Sequence, residues 1–127
     1  MNNLIRVFII DDDVMMRYAV GQLLSQSSEI QVVGDASANE HLATFIKQSK
    51  PDILILDIPI PPDKGWSNLK QISKFGLPAI AFTKSDNNLT KYLLPLLEVG
   101  FVGFVLKPEN DNNLPQVRDQ SIHEITT

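Results

Sequence analysis

Residues 51–65, PDILILDIPIPPDKG, limit the possible folds of this chain more than any other stretch. Ile53, Leu54, Ile55 and Leu56 are a continuous apolar run, followed at once by Asp57 and a proline-rich stretch over 59–62. A short apolar run of this kind between breakers reads as a strand buried on both faces, the signature of a parallel sheet held between two layers of helix. A carboxylate at its carboxyl end stands where open α/β sheets place their sites. Asp57 is therefore the first candidate functional residue, although a carboxylate there can also serve only to cap the following turn.

The rest of the chain repeats the pattern. Residues 6–10 read as a first buried strand, ending in Asp11, Asp12 and Asp13. Residues 14–24 follow a helical period, with Met16, Ala19, Val20, Leu23 and Leu24 on one face, Arg17 and Gln22 off it, and Asp12 or Asp13 as cap. A second strand is expected over 30–34. Ser37 with Glu40 three residues later fits a capping box for a second helix that presents Leu42, Phe45 and Ile46 and ends by Gln48 and Pro51. A third helix is expected over 66–75 with Gly76 as terminator, and a fourth strand over 78–82 ending in Thr83. A fourth helix over 89–99 contains Pro95, which predicts a kink or an early end. Gly100 and Gly103 flank the next turn, and Phe104, Val105 and Leu106 form a fifth strand ending in Lys107 and Pro108. Asn113 can cap a last helix with Pro115 in its first turn. Five strands alternating with helices predict an α/β fold: a doubly wound five-stranded parallel sheet in three layers.

Four of these strands end in polar groups of distinct chemistry: Asp11–Asp13, Asp57, Thr83 and Lys107. A parallel sheet brings all of these ends to one edge. Clustered carboxylates repel one another unless a cation sits among them, and an all-oxygen set suits Mg²⁺. A lysine and a hydroxyl on the far side suit a phosphoryl group, its charge divided between metal and ammonium. Taken singly, Asp13 and Thr83 can be caps and Lys107 a solvated terminus.

Composition narrows the alternatives. The 127 residues suffice for one domain. There is no cysteine, which removes disulfides and thiolate chemistry, and His41 and His123 have no zinc-ligand spacing. The net charge of −4 gives the chain no case for binding nucleic acid or an anionic membrane. The opening MNNLIRVFIIDDD does not read as a signal peptide, and no run approaches transmembrane length.

With these residues in place, the sequence resembles the receiver domain of two-component response regulators over about its first 120 residues, with 121–127 as the end of a last helix or a tail. RVFIIDDDVMMR looks like that family's opening strand, its paired acids falling on Asp11 and Asp12. DIPIPPDKG looks like the phosphoacceptor strand and loop, with Asp57 as acceptor. AFT supplies the switch hydroxyl at Thr83, and GFVGFVLKP the switch aromatic at Phe104 and the lysine at Lys107, before a cis bond to Pro108. The resemblance implies the flavodoxin-like, CheY-like (βα)5 fold. It implies Mg²⁺, or Mn²⁺, held by Asp12, Asp57 and the carbonyl of Pro59, with Asp11 acting through water. Asp57 would take a phosphoryl group from a histidine kinase or phosphotransfer protein. Lys107 and Thr83 would bind it, and Phe104 would follow Thr83 inward and alter the surface of the fourth helix, fifth strand and fifth helix. That surface would serve a homodimer or an output, and the ends of the motif look most like receivers that precede helix-turn-helix DNA-binding domains. The family's setting is cytoplasmic.

Departures from the family pattern bear on rate. Lys84 replaces a small residue beside the phosphoryl pocket and precedes Ser85. Pro59 offers no side chain to guide an attacking water, which predicts slow loss of the phosphoryl group. Pro62 and Lys64 predict a stiffer loop, and Pro95 and Pro115 a modified dimer surface. Two other readings remain at this stage. A haloacid dehalogenase-like phosphatase would use Asp11 and Asp13 but leave Asp57 without a role. A receiver that has lost its chemistry would be a protein-interaction module.

Overall fold

The computed structural model describes residues 3–38, 41–58, 73–84 and 89–107. Within these, five strands make one parallel sheet: β1 (Ile5–Ile10), β2 (Ile30–Ala36), β3 (Ile53–Asp57), β4 (Ala79–Lys84) and β5 (Phe101–Lys107), in the order β2-β1-β3-β4-β5. Helices α1 (Val14–Leu24), α2 (Leu42–Ser49) and α3 (Leu89–Glu98) occupy the connections after β1, β2 and β4.

The two-sided burial expected of the strands is realised by alternation. Phe8, Ile10, Leu54, Leu56, Ala79 and Ala81 point to one face and form a core with Leu42 and Ile46 of α2 and Leu96 of α3. Val7, Ile9, Ile55, Ile80 and Phe82 point to the other and pack with Val20 and Leu24 of α1. Both α1 boundaries agree with the sequence expectation, and Asp13 rather than Asp12 is the cap: its Oδ1 accepts from the backbone N–H of Met15 at 2.9 Å and of Met16 at 3.3 Å.

Several expectations are corrected. The strand β2 runs two residues beyond Gly34. The helix α2 starts at Leu42 with His41 at its N-cap position and no side-chain cap bond, so Ser37 does not open it. Gln48 lies within α2, whose C-cap is Lys50 in the left-handed conformation. Phe45 is not a core residue; it is 42% exposed and lines an open groove of about 290 Å³ with Phe8, Val33 and Gly34. Pro95 does not end α3, which continues to Glu98. The lost backbone bond is outweighed because Leu96, fully buried, anchors that turn on the sheet. Gly103 is not in a turn but inside β5, where the pairing slips by one residue between Ala79 and Ile80.

Arg6 provides a tie that hydropathy does not signal. From β1 its Nε donates to the carbonyl of Lys50 at 2.9 Å and its Nη2 to that of Ser49 at 2.6 Å, placing a cation on the carbonyl end of α2. The two edge strands each carry a register slip, at Val33 in β2 and Val102 in β5, which interrupts the straight edge that unpaired strands would otherwise offer to another chain.

The helix expected over 66–75 lies outside the described residues except at its end, where 73–75 turn into Gly76 with φ 66°. The capping partner Glu40, the polar 85–88 segment and everything after Lys107, including the last helix with Pro115 and the domain end near 120, also lie outside them.

Gly34 sits at the β2 slip because Phe8 crosses there. A Cβ at position 34 would come within 2.7 Å of the Phe8 ring, which is only 2% exposed and would have to shift to admit it. Gly34→Ala is expected to cost about 1–3 kcal/mol in urea unfolding. Most of that loss should disappear when the same substitution is made in a Phe8→Leu background.

Candidate functional site

Because the strands are parallel, the residues that follow or finish them share one edge of the sheet. β1 and β3 are adjacent, with Ile10 opposite Leu56, so Asp11 and Asp57 stand at the same level on neighbouring strands. Strands in a sheet run roughly 4.8 Å apart, which makes these two acids neighbours along the edge. Asp11 is buried and Asp57 half-buried. On the far side of Asp57, β4 supplies Thr83 and β5 ends at Lys107. Thr83 has no exposed surface at all, an unusual place for a hydroxyl unless it is held for a purpose or a bond. Lys84 and Lys107 are register partners at the ends of β4 and β5.

Phe104 pairs with Ala81 and packs, partly buried, against the core under α2 and α3. By strand alternation Thr83 follows Ala79 and Ala81 onto that same face. The two residues named as a switch therefore share a side of the sheet, on neighbouring strands, two pairs apart along the ladder.

The β1–α1 connection is tightly organised. The Oδ1 of Asp11 accepts from the N–H of Asp13 at 2.9 Å, and its own N–H donates to the carbonyl of Ala36 at 3.1 Å. Asp12 is exposed and its Oδ1 accepts from the N–H of Ala38 at 3.2 Å, so this carboxylate is turned toward the connection after β2. Among the described residues, no three acidic or histidine side chains draw together into a group that could hold a metal. The pair Asp11 and Asp57 nonetheless fits the chemistry of Mg²⁺, which binds through one or two carboxylates and keeps several waters.

Two residues here carry little signal in the local sequence. Arg17 lies off the apolar face of its helix, yet its Nη1 donates to the carbonyl of Asp11 at 2.6 Å and its Nε to Oδ1 of Asp35 at 2.9 Å. Asp35 is the penultimate residue of β2, the one strand outside the four whose ends carry the candidate groups. Spacing within the helix could have placed Arg17 beside the acids; nothing local pairs it with Asp35. Pro59, Ser85 and Pro108, with the loop residues Pro62 and Lys64, lie outside the described residues.

An open, doubly wound parallel sheet with acids, a hydroxyl and a lysine at the carboxyl edge defines a class of phosphate-handling α/β domain. The response regulator receiver domain family matches residues 7–118, and the chain belongs to that family. The response regulator domain of CheB from Thermotoga maritima superposes with a TM-score of 0.79 at 26% identity, over 97% of this chain and 94% of that one. A protein-glutamate methylesterase/protein-glutamine glutaminase from Clostridium acetobutylicum is 32% identical over 123 residues, 95% of this chain and 36% of the relative. The sensory transduction protein LytT of Bacillus cereus is 29% identical over 114 residues, 89% of this chain and 45% of that protein. The chain thus spans about a third of the length of the methylesterase relatives it matches. Domains of this family serve phosphorelay signalling with phosphotransfer partners, as phosphoacceptor switches rather than turnover enzymes. That sets aside the phosphatase reading, which had no use for Asp57.

Asp13 belongs to the helix rather than to the acid pair. Asp13→Ala is expected to lower stability by about 1 kcal/mol in chemical unfolding, and Asp13→Ser to retain most of it, as a cap requires.

Proposed function

We propose that this chain is an active phosphoacceptor switch in which Asp57 receives a phosphoryl group from a phosphohistidine partner or a small phosphodonor. The observation that carries this reading is the level pairing of Asp11 and Asp57 on adjacent strand ends, with the buried Thr83 and the terminus of β5 at Lys107 beyond them. An Asp57 oxygen attacks phosphorus, the bond from phosphorus to the donor nitrogen or oxygen breaks, and the electron pair leaves with the donor. Asp57, Asp12 once it gives up its bond to the N–H of Ala38, and the carbonyl of Pro59 would hold Mg²⁺, or Mn²⁺, with Asp11, beside Asp57, acting through water. Bound there, the cation supplies positive charge to neutralise the phosphoryl oxygens. Lys107 adds a second positive charge from β5.

Thr83 donates to a phosphoryl oxygen after turning within its buried position, and Phe104 moves into the space released. The change is carried to the surface of α3, β5 and the following segment, where Leu94, Leu97 and Val102 are exposed, and it serves a second copy or an output. Relatives carry this domain within longer chains whose names include a methylesterase as well as a sensory transduction protein. An output acting with this domain would be a partner protein or a joined domain, catalytic as in the methylesterase relatives or, as the motif resemblance implies, of the DNA-binding kind. The domain comprises residues 1–120 and works in the cytoplasm; among the described residues no helix is long and apolar enough to cross a membrane.

Two departures set the rate. Lys84, register partner of Lys107, adds positive charge at the ends of β4 and β5 and favours retention of the phosphoryl group. Pro59 offers an attacking water no side-chain guide, which further slows its loss.

Incubation with acetyl phosphate and Mg²⁺ is expected to add one phosphoryl group by intact mass. The adduct should be absent without the metal and absent from Asp57→Asn. Thr83→Ala should still accept the group, while Lys107→Ala should lose at least tenfold in rate, as removal of a charge-stabilising donor does. Failure of the folded wild type to form any adduct at saturating Mg²⁺ would leave the protein-interaction module as the function.

A further inference from the structure

We propose that Arg17 is a positioning residue of the phosphoacceptor site, locking the acid-bearing connection after β1 to the end of β2 through Asp35. The inference rests on the reading of Asp11 and Asp57 given above and deepens it. Among the contacts that fasten the acids to β2 and its continuation in the described residues are three: the Asp11 N–H to the carbonyl of Ala36, the Asp12 carboxylate to the N–H of Ala38, and the Arg17 guanidinium. The last is the only one of the three that uses a charged donor, and it holds two elements at once. Its Nη1 takes the carbonyl of Asp11 itself, at 2.6 Å, while its Nε takes the carboxylate of Asp35 at 2.9 Å.

The exposures of the two partners show which contact matters. Asp35 is 51% exposed, and an ion pair so open to water contributes little by itself. Arg17 is only 17% exposed, because its side chain is drawn in to the Asp11 carbonyl. The pair with Asp35 orients the planar fork, and the fork fixes the peptide that carries Asp11. A lysine has a single ammonium and cannot span both acceptors in this geometry.

Charge and position make opposite predictions, which separates them. Arg17 brings a positive charge near the carboxylates, so by charge alone its removal would tighten binding of a divalent cation. If position governs, removal loosens Asp11 and weakens binding instead. Loss of a partner that orients a ligating group typically weakens metal binding at least tenfold.

The test is calorimetric titration of the full chain with Mg²⁺, with no phosphodonor present, alongside thermal unfolding. Arg17→Gln is expected to weaken Mg²⁺ binding about tenfold with the fold intact. The charge-balanced double variant Arg17→Gln/Asp35→Asn should be weakened by the same factor, and Arg17→Lys should restore only part of it. Asp35→Asn alone, the mildest change, keeps the bond to the Asp11 carbonyl and should fall between wild type and Arg17→Gln. Unchanged or tighter binding in Arg17→Gln, or full recovery in Arg17→Lys, would overturn the positioning role while leaving Asp57 as acceptor. Absence of Mg²⁺ binding by the wild type, or wild-type binding that survives Asp57→Asn, would overturn the site reading and this inference together. Were Arg17→Gln to unfold, the titrations of Arg17→Lys and Asp35→Asn decide by the same criteria.

Discussion

Everything in this domain depends on one parallel sheet being covered on both faces. Parallel strands cannot be joined by tight turns, so each connection must cross the sheet and return, and all strands point the same way. β3 is the central strand with β1 beside it, and Val7–Ile10 and Leu54–Leu56 in them are buried. That arrangement has a consequence at the carboxyl edge. Chemistry supplied by residues 11, 57, 83 and 107 is collected along one line although the chain distance between its members reaches almost the length of the domain.

Holding two carboxylates side by side at the mouth of a hydrophobic sheet is unfavourable unless the surroundings compensate. Part of the compensation is visible in the polypeptide. Asp11 accepts from the N–H of Asp13, at the start of α1, where the helix presents partial positive charge. Asp13 caps the helix in turn, and Arg17, one turn in, reaches back to the carbonyl of Asp11. The run of three aspartates is thus divided into distinct duties: one buried beside Asp57, one turned outward to Ala38, one spent on the helix. Sequence alone shows three equivalent acids; the hydrogen bonds make them different.

The opposite side of the site carries the residues of the proposed switch. Thr83 is a hydroxyl wholly enclosed on the face that β4 shares with Phe104, and the exposed apolar surface of α3 and β5 lies outward from them. In the proposed switch the packed hydroxyl turns and the aromatic ring takes the vacated volume, a two-state change because close-packed interiors rearrange in steps and not by gradual deformation.

The sequence by itself determined the strand cores, the parallel topology, the limits of α1 and the residues at four strand ends. Hydrophobic period and breakers are local properties, and the ends of parallel strands follow from them. Where a boundary depends on a partner, the tertiary structure decided it. The strand β2 extends to Ala36 because β1 pairs with it that far, and α3 passes through Pro95 because Leu96 is buried beneath it. Phe45 has the right helical phase for the core yet faces a groove beside β2. The pairing of Arg17 with Asp35, and the choice of Asp13 over Asp12 as cap, were equally beyond the sequence. Each is a choice among charged groups that look alike in one dimension; the packing of β1 beside β2 brings Asp35 to Arg17, and the backbone turn into α1 puts Asp13 at the cap.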